Sequence, residues 1–96
     1  MTGEILVRDN PDEHRYEAWV DGELQGFVDY HLHDDLLTIM HTEVVPAAEG
    51  KGVGSRLAAA TLQDIRARGL RTLVVCPFVL AYIHKHPEYA DLVAYR

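Results

Sequence analysis

The sequence predicts an α/β (α+β) fold with a mixed, mainly antiparallel sheet. In the first half, apolar and polar residues alternate between short turn signals, which is the period-two pattern of strands. From residue 53 the apolar residues recur at three-to-four spacing, which indicates a helix. A short apolar segment lies on each side of that helix and favours a strand, loop, helix, strand unit. With 96 residues, we expect residues 1–96 to form a single domain.

Four strands are predicted before the helix, with turns at 9–12, 21–22 and 34–35. Their expected ranges are 4–8, 14–20, 23–32 and 36–45. Asp21-Gly22 is a strong hairpin signal, and Pro46 ends the fourth strand. The fourth strand is apolar on both faces, which is typical of an interior position. Strict alternation places His41 and Glu43 on the same face of this strand as Leu37 and Ile39.

Two helices and one more strand are predicted in the second half. The first helix covers 53–68 and stops at Gly69, because glycine is favoured just after a helix. A strand at 70–75 follows, and then a shorter helix at 78–84. The tail from 87 to 95 is expected to add another turn.

Composition excludes several classes of protein. The net charge of −6 disfavours a nucleic-acid partner, because phosphate backbones require clustered positive charge. No basic leader followed by an apolar run and no long apolar segment is present, so we expect a cytoplasmic protein without a membrane partner. The single cysteine excludes an internal disulfide. His31, His33, Asp34 and Asp35 lack the spacing of a four-ligand zinc site, and we expect no metal.

Residues 49–57, EGKGVGSRL, place three glycines at alternate positions just before the long helix. A helix N-terminus exposes unpaired N–H groups, and glycines let a phosphate approach them closely. Residues 50–71 carry five basic residues and one acid, which also favours an anion there. The alternative is that the glycines only form a turn or permit close packing. The nucleotide-triphosphate loop does not fit, because Gly52 rather than Ser or Thr follows Lys51, and the dinucleotide fingerprint fails because its third glycine comes one residue early.

The segment from Val44-Val45-Pro46 through Glu49 to Gly54 resembles a known cofactor loop. It is similar to the acetyl-CoA pyrophosphate loop of the GCN5-related N-acetyltransferase (GNAT) family, with the pattern Gln/Arg-x-x-Gly-x-Gly/Ala. Gly52 and Gly54 match the two small positions, and Glu49 departs from the Gln or Arg. Three further segments, HTEVVPAAEGKGVGSRL, VCPFVLAYI and HPEY, resemble a very small subgroup of that family.

The resemblance implies a GNAT-like fold, acetyl-CoA as the cofactor and a set of binding residues. Backbone groups of Val44 and Val45 would bind the pantetheine arm between two splayed strands. The pyrophosphate would be held by backbone amides of the loop and first helical turn, namely Gly50, Lys51, Gly52, Val53, Gly54 and Ser55. Cys76 would lie near the acetyl group and would accept it before an amine does.

Two side chains are candidates for catalysis. A cysteine that ends an apolar strand is commonly an inert buried residue. Pro77, however, suits the first position of a helix, which would leave Cys76 near the positive helix end that stabilises a thiolate. His41 could act as a base near neutral pH, and it could equally be a core histidine with its hydrogen bonds satisfied.

The predicted function is therefore transfer of an acetyl group from acetyl-CoA to an amine. Only about five residues join the first two strands, a hairpin-length connection, so we expect an open acceptor surface that suits a protein lysine or N-terminus. Asp34 and Asp35 are expected to attract that cation. The alternatives are direct transfer without Cys76 and a non-catalytic acyl-CoA-binding module that regulates or senses.

Overall fold

The computed structural model describes residues 3–94 of the chain. Its strands are β1 (Leu6–Asn10), β2 (Arg15–Val20), β3 (Glu23–His33), β4 (Leu36–Val44) and β5 (Arg71–Val74). Its α-helices are α1 (Val53–Ala67) and α2 (Pro77–Lys85), and short 3₁₀ turns cover Pro46–Ala48 and Pro87–Leu92. The last turn falls where the tail was expected to add one, although residue 95 lies outside the described residues. Neither helix is long and apolar enough to cross a membrane within residues 3–94.

The five strands form one sheet in the order β1-β2-β3-β4-β5. The first three pairings are antiparallel, and β4 pairs with β5 in parallel across α1. The predicted mixed, mainly antiparallel sheet and the interior position of β4 are therefore confirmed. The predicted turn at 9–12 begins too early, because Asp9 and Asn10 pair with Tyr16 and Arg15 and so extend the ladder. Residues 11–14 then connect β1 to β2, as short a connection as expected.

One face of the sheet, called here the covered face, packs against the helices. Its core strand residues are Tyr16, Ala18, Val28, Leu37 and Ile39, which join Leu57, Leu62 and Ile65 of α1 and Val79 of α2 in one buried cluster. The opposite face, called here the open face, carries alternating residues such as Arg15, Phe27 and Asp29, which remain partly exposed.

A β-bulge in β4 interrupts this alternation. His41 pairs with Asp29, but the next pair is Ile39 with Tyr30, so Met40 is an extra residue without a partner on β3. Beyond the bulge, Thr42 faces Val28 and lies on the covered face, while His41 and Glu43 lie on the open face. The prediction that His41 and Glu43 share a face with Leu37 and Ile39 is therefore wrong, because it assumed unbroken alternation.

The bulge also marks the point where β4 and β5 part. Their pairing ends at Ile39 and Val74, and the Ile39 carbonyl accepts hydrogen bonds from the N–H groups of Val75 (2.9 Å) and Cys76 (3.2 Å). The Val45 N–H donates to the Gln25 carbonyl (2.9 Å). In an antiparallel ladder the neighbouring residue points its backbone groups the other way. The N–H and C=O of Val44 therefore point away from β3, into the space that β5 has left, called here the β4–β5 gap.

Candidate functional site

The glycine loop follows the turn Pro46–Ala48 and leads directly into α1. Gly50 and Gly52 have φ values of +81° and +84°, in the left-handed region that favours glycine. A Cβ atom at either position would meet nothing within 4 Å. These two glycines are therefore required by backbone conformation and not by lack of space. A turn accounts for both of them, and anion binding by the loop stays a prediction.

Gly54 has a different reason to be glycine. It lies in the first turn of α1, and a Cβ atom there would come 2.8 Å from Cζ of Phe78. The missing side chain lets the aromatic ring of α2 lie against the start of α1. Close packing therefore explains this third glycine.

The start of α1 carries backbone N–H groups without a partner in the helix. Gly52 is the N-cap, it provides no side-chain hydrogen bond, and the first turn contains no acidic residue. The Arg56 N–H is the donor to the Gly52 carbonyl (3.1 Å), so the N–H groups of Val53, Gly54 and Ser55 precede the first intrahelical bond. Together with the helix dipole, these groups form a positive end that favours an anion.

The arginines of the basic segment do not contribute to this positive end. Arg56 donates to the Ile5 carbonyl (3.2 Å), Arg66 pairs with Asp91 (2.9 Å), and Arg68 pairs with Asp64 (3.3 Å). The expectation that the excess positive charge of residues 50–71 marks an anion site is therefore unsupported for these side chains. The backbone N–H groups at the start of α1 provide positive potential that does not depend on these arginines.

A cleft of about 260 Å³ brings most of the expected binding residues together. It is lined by Val44, Ala48, Glu49, Gly50, Gly52, Val53, Gly54, Ser55 and Phe78. Lys51 is not among these residues and instead lines a separate cavity with Ile5 and Gln25. Val45 does not line the cleft either, and its N–H and C=O are already bonded to Gln25 and Ala48 (both 2.9 Å). Glu49 is the one acidic residue in the lining, and its negative charge is unfavourable in a cleft suited to an anion.

Cys76 lies at the end of β5 and caps α2, with Pro77 at the first helical position as expected. Its C=O accepts the Leu80 N–H (3.1 Å), and its side chain is buried, with the residue 3% exposed. The Sγ atom lies 3.4 Å from Oγ1 of Thr42 and donates to it. Sequence reasoning missed Thr42, because without the bulge this residue falls on the opposite face. This burial fits the inert alternative, and whether Cys76 reacts stays a prediction.

His41 does not lie beside Cys76. Its side chain is 59% exposed on the open face, and Nε2 lies 3.2 Å from Oε1 of Glu43. Thr42, the intervening residue, turns toward the Cys76 sulfur, so His41 turns away from it. The alternative of a core histidine is wrong, and a direct proton transfer between His41 and the buried thiol has no geometric support.

A comparison of the chain with models of known protein families identifies the family to which it belongs. The model for the family described as GCN5-related N-acetyl-transferase matches residues 15–92, which include the glycine loop, Thr42 and Cys76. The chain belongs to this family. No curated protein matches.

Solved structures of this N-acetyltransferase type have the same fold. A GCN5-like protein from Staphylococcus aureus aligns with a TM-score of 0.71 at 21% identity, covering 100% of this chain and 93% of that one. The crystal structure of nourseothricin acetyltransferase aligns with a TM-score of 0.53 at 28% identity, covering 88% of this chain. The match covers only 54% of the nourseothricin enzyme, so this chain corresponds to about half of it.

Away from the cleft, the N-acetyltransferase fold contains two tyrosine–carboxylate contacts, one joining β2 to α1 and the other joining β3 to β1. The Tyr16 hydroxyl donates to Asp64 (2.5 Å), and the Tyr30 hydroxyl donates to Asp9 (2.6 Å). Burial, and then these carboxylates, raise the pKa of both hydroxyls well above the usual tyrosine range. Both hydroxyls therefore stay protonated at neutral pH and act as donors. This network has a structural role, and the cleft contains none of its members.

On the open face, Glu17 is buried despite its charge. Burial alone would raise its pKa, but hydrogen bonds from Arg15 (2.8 Å), Asn10 (3.0 Å) and Trp19 (3.2 Å) together lower the pKa below its usual value. The carboxylate is therefore ionised at neutral pH and organises the side chains around it.

Proposed function

We propose that residues 1–96 act as one minimal N-acetyltransferase domain that takes an acetyl group from acetyl-CoA and transfers it to an amine. The observation that carries this proposal is the cleft beside α1. It joins unpartnered N–H groups at a helix start to the outward-facing backbone of Val44 in a single surface. Family membership makes an acetyl donor the appropriate ligand.

The residues present fit the donor in two respects, and one residue opposes it. The N–H groups of Val53, Gly54 and Ser55 suit a diphosphate, because they combine hydrogen-bond donors with the positive helix end. The N–H and C=O of Val44 suit the amides of a pantetheine arm, which would take the place that β5 has left. Glu49 opposes the diphosphate, and we expect its carboxylate to turn out of the cleft on binding.

Bound acetyl-CoA supplies an activated thioester. In the proposed first step the Cys76 sulfur, having lost its proton to solvent, attacks the acetyl carbonyl carbon. The new bond to sulfur forms as the bond to the coenzyme sulfur breaks, and the coenzyme leaves as a thiolate. A neutral amine then attacks the acetyl-Cys76 carbonyl, the carbon–sulfur bond breaks, and the amine proton passes to the departing thiolate. One thioester is exchanged for another, so the first step needs little driving force.

Thr42 is proposed as the residue that positions this sulfur. Its hydroxyl accepts the thiol hydrogen bond in the present structure and can rotate to donate to the thiolate. The same residue is two positions before Val44 on β4. This spacing supports a position of the sulfur beside the inner end of the proposed pantetheine path.

The open face is the proposed approach for the acceptor. Glu43 and His41 lie there beside the gap, and Asp29 pairs with His41 on the adjacent strand. Asp34 and Asp35 lie at the other end of β4, about 20 Å along the strand from Thr42 at its usual rise. We therefore assign attraction of a cationic amine to Asp29 and Glu43 instead. The open face and the short β1–β2 connection favour an amine on a macromolecule, a protein lysine or N-terminus, over an enclosed small molecule.

Intact-protein mass spectrometry after mixing with acetyl-CoA tests the proposal. We expect one acetyl group on Cys76, discharged by a lysine-containing peptide. Cys76→Ser should lose the adduct, and Thr42→Val should slow its formation more than the matched control Thr42→Ser, which keeps the hydroxyl. Turnover that survives in Cys76→Ser would show direct transfer. Binding of acetyl-CoA without transfer to any amine would favour the regulatory module, and absence of binding would refute the donor site.

A further inference from the structure

The sheet has two edges, and within residues 3–94 the chain covers only one of them. At β5 the C-terminal segment lies alongside the strand, where Thr72 forms a bridge to Val93 and its C=O accepts the Ala94 N–H (2.8 Å). At the other edge, the described part of the chain pairs β1 with β2 alone. An uncovered strand edge presents unpaired backbone groups to which another strand can add.

The register shows which backbone groups of β1 face outward. The His14 C=O accepts a hydrogen bond from β3 (2.9 Å), so the backbone groups of every second residue from His14 along β2 face β3. The residues between them face β1, and among these Glu17 lies opposite Arg8. The N–H and C=O groups of Val7 and Asp9, on either side of Arg8, therefore point away from the sheet.

A cavity of about 400 Å³, called here the edge cavity, lies beside this edge between β1 and α1. Arg8 contributes to its lining, but the Arg8 guanidinium lies over the Trp19 ring, 5.4 Å from the centroid, on the open face. The edge cavity combines apolar side chains with two carboxylates. Its other lining residues are Val7, Asp9 and Tyr16 of the sheet and Ala60, Gln63 and Asp64 of α1.

The two carboxylates of the edge cavity share a single cation. Arg68 lies 3.4 Å from Asp9 and 3.3 Å from Asp64. Asp64 accepts hydrogen bonds from Tyr16 and Arg68 through Oδ2, and within residues 3–94 its Oδ1 has no hydrogen-bond partner. Because a carboxylate has about four acceptor positions, Asp64 can bind a second cation without releasing the first.

We propose that the edge of β1 binds an extended segment of a partner protein as an additional antiparallel strand, with an arginine or lysine of that segment in the edge cavity. Val7 and Asp9 turn their side chains to the covered face. Residues directly opposite each other in an antiparallel pair share a face, so a partner residue opposite either of them bonds to β1 and points its side chain beside α1. Its aliphatic stem packs against Val7 and Ala60, and its charged end reaches Asp64.

Charge favours a basic partner over a second copy of the chain. Residues 1–49, which include the first four strands, carry 12 acidic and 2 basic residues. A two-fold pairing of β1 centred on Arg8 or on Asp9 places like charges opposite each other, which is destabilising. The proposal does not depend on acetyl-CoA or Cys76, because β1 and the β4–β5 gap lie on opposite sides of the sheet order.

NMR titration with a blocked peptide tests strand addition. The probe is Thr-Val-Arg-Val-Thr, acetylated at its N-terminus and amidated at its C-terminus, so it offers no amine to an acetyl donor. Binding should slow hydrogen exchange of the Val7 and Asp9 amides and leave the Arg8 amide, which already faces β2, unchanged. N-methylation of the peptide arginine should abolish binding, because that N–H faces β1. N-methylation of either valine is the matched control and should be tolerated, because the valine N–H groups point to solvent.

Citrulline in place of the peptide arginine measures the contribution of charge, because it keeps the shape and removes the positive charge. We expect the citrulline peptide to bind about fivefold more weakly, the upper range for an exposed ion pair. Asp64→Asn should bind the two peptides about equally. Asp35→Asn removes the same charge from the turn between β3 and β4 and should keep the preference of the wild type.

Three results would overturn the proposal. They are Val7 and Asp9 amides that do not respond to the peptide, equal effects of N-methylation at arginine and at valine, and equal binding of the arginine and citrulline peptides. Protection of both amides that appears in the protein alone and rises with its concentration would assign the edge to a second copy instead. Since neither coenzyme nor a free amine is present, each of these results leaves the proposed acetyl transfer unaffected.

Discussion

Replacement of Gly26 by alanine should both destabilise the protein and disturb the cleft beside α1. Gly26 lies on β3 opposite Val44 and under α1. An added Cβ atom would be 2.7 Å from the carbonyl oxygen of Glu43, 3.2 Å from Cδ1 of Leu57 and 3.3 Å from Cα of Val44. Two of these three atoms belong to the backbone of β4, which cannot move aside as a flexible side chain can.

The expected magnitude follows from these contacts. Overpacking of a core by one methyl group costs about 1–3 kcal/mol, and here the contact to the Glu43 oxygen is among the tightest a Cβ could make. Alanine recovers about 0.5 kcal/mol by restricting the unfolded chain. The net loss in the free energy of unfolding should be about 2 kcal/mol, or about 8 °C in Tm for a domain of this size. Because β4 must shift at Glu43 and Val44, affinity for coenzyme A should fall as well.

Urea unfolding followed by circular dichroism measures the first effect, and calorimetric titration with coenzyme A at a temperature where both proteins are folded measures the second. Gly69→Ala is the control. Its φ of +70° costs an alanine some strain, but its Cβ meets nothing within 4 Å, and it lies at the opposite end of α1 from the cleft. It should be destabilised without loss of affinity. A Gly26→Ala protein as stable as the wild type would refute the packing argument.

Three further perturbations test other parts of the structure. Gly52→Ala should lower the unfolding free energy by about 1 kcal/mol through its left-handed φ alone, and an unchanged urea midpoint would contradict this. Above about pH 10 the unfolded chain releases tyrosine protons that the native state keeps, so stability should fall as pH rises. Between pH 9 and 11 the urea midpoint should fall less steeply for Tyr16→Phe than for the wild type, because the variant lacks this hydroxyl. Equal slopes would show that the pKa of the Tyr16 hydroxyl is not raised in the folded protein. The lowered pKa of Glu17 stabilises the protein above about pH 4. Glu17→Gln should therefore be less stable than the wild type at pH 7, and the difference in unfolding free energy should shrink as the pH falls. A difference that stays constant with pH would exclude the charge of Glu17 as its cause.

The sequence predicted the strands, the helices and the glycine loop because each has a local signal. Each signal lies within a few neighbouring residues. The strands show alternation, the helix shows three-to-four spacing, and Gly50 and Gly52 can adopt the left-handed φ values of the loop. The mixed sheet followed from a helix between two apolar strands, since that connection favours a parallel pair. Most of the residues expected to bind the cofactor are therefore found together in the cleft beside α1, with Val44, Gly52 and Gly54 as examples.

The parts that could not be predicted depend on contacts between distant segments. The sequence near Met40 contains no signal for a bulge, because the extra residue is defined only by its lack of a pairing partner on β3. The wrong face for His41 and the omission of Thr42 both come from that one residue. The place of Lys51 in a separate cavity likewise depends on Ile5, which lines that cavity from a distant part of the sequence and is not encoded by local spacing.

The bulge at Met40 determines which face of the sheet each later residue of β4 occupies. After it, Thr42 and Val44 turn toward the helices, while His41 and Glu43 turn toward solvent. Substitutions at the two solvent-facing positions can therefore alter which molecules approach the protein with little disturbance of the interior. If Met40 were instead paired regularly with β3, unbroken alternation would exchange these assignments and place an imidazole and a carboxylate in the hydrophobic interior. The pairing register of this strand is therefore as constraining as its composition.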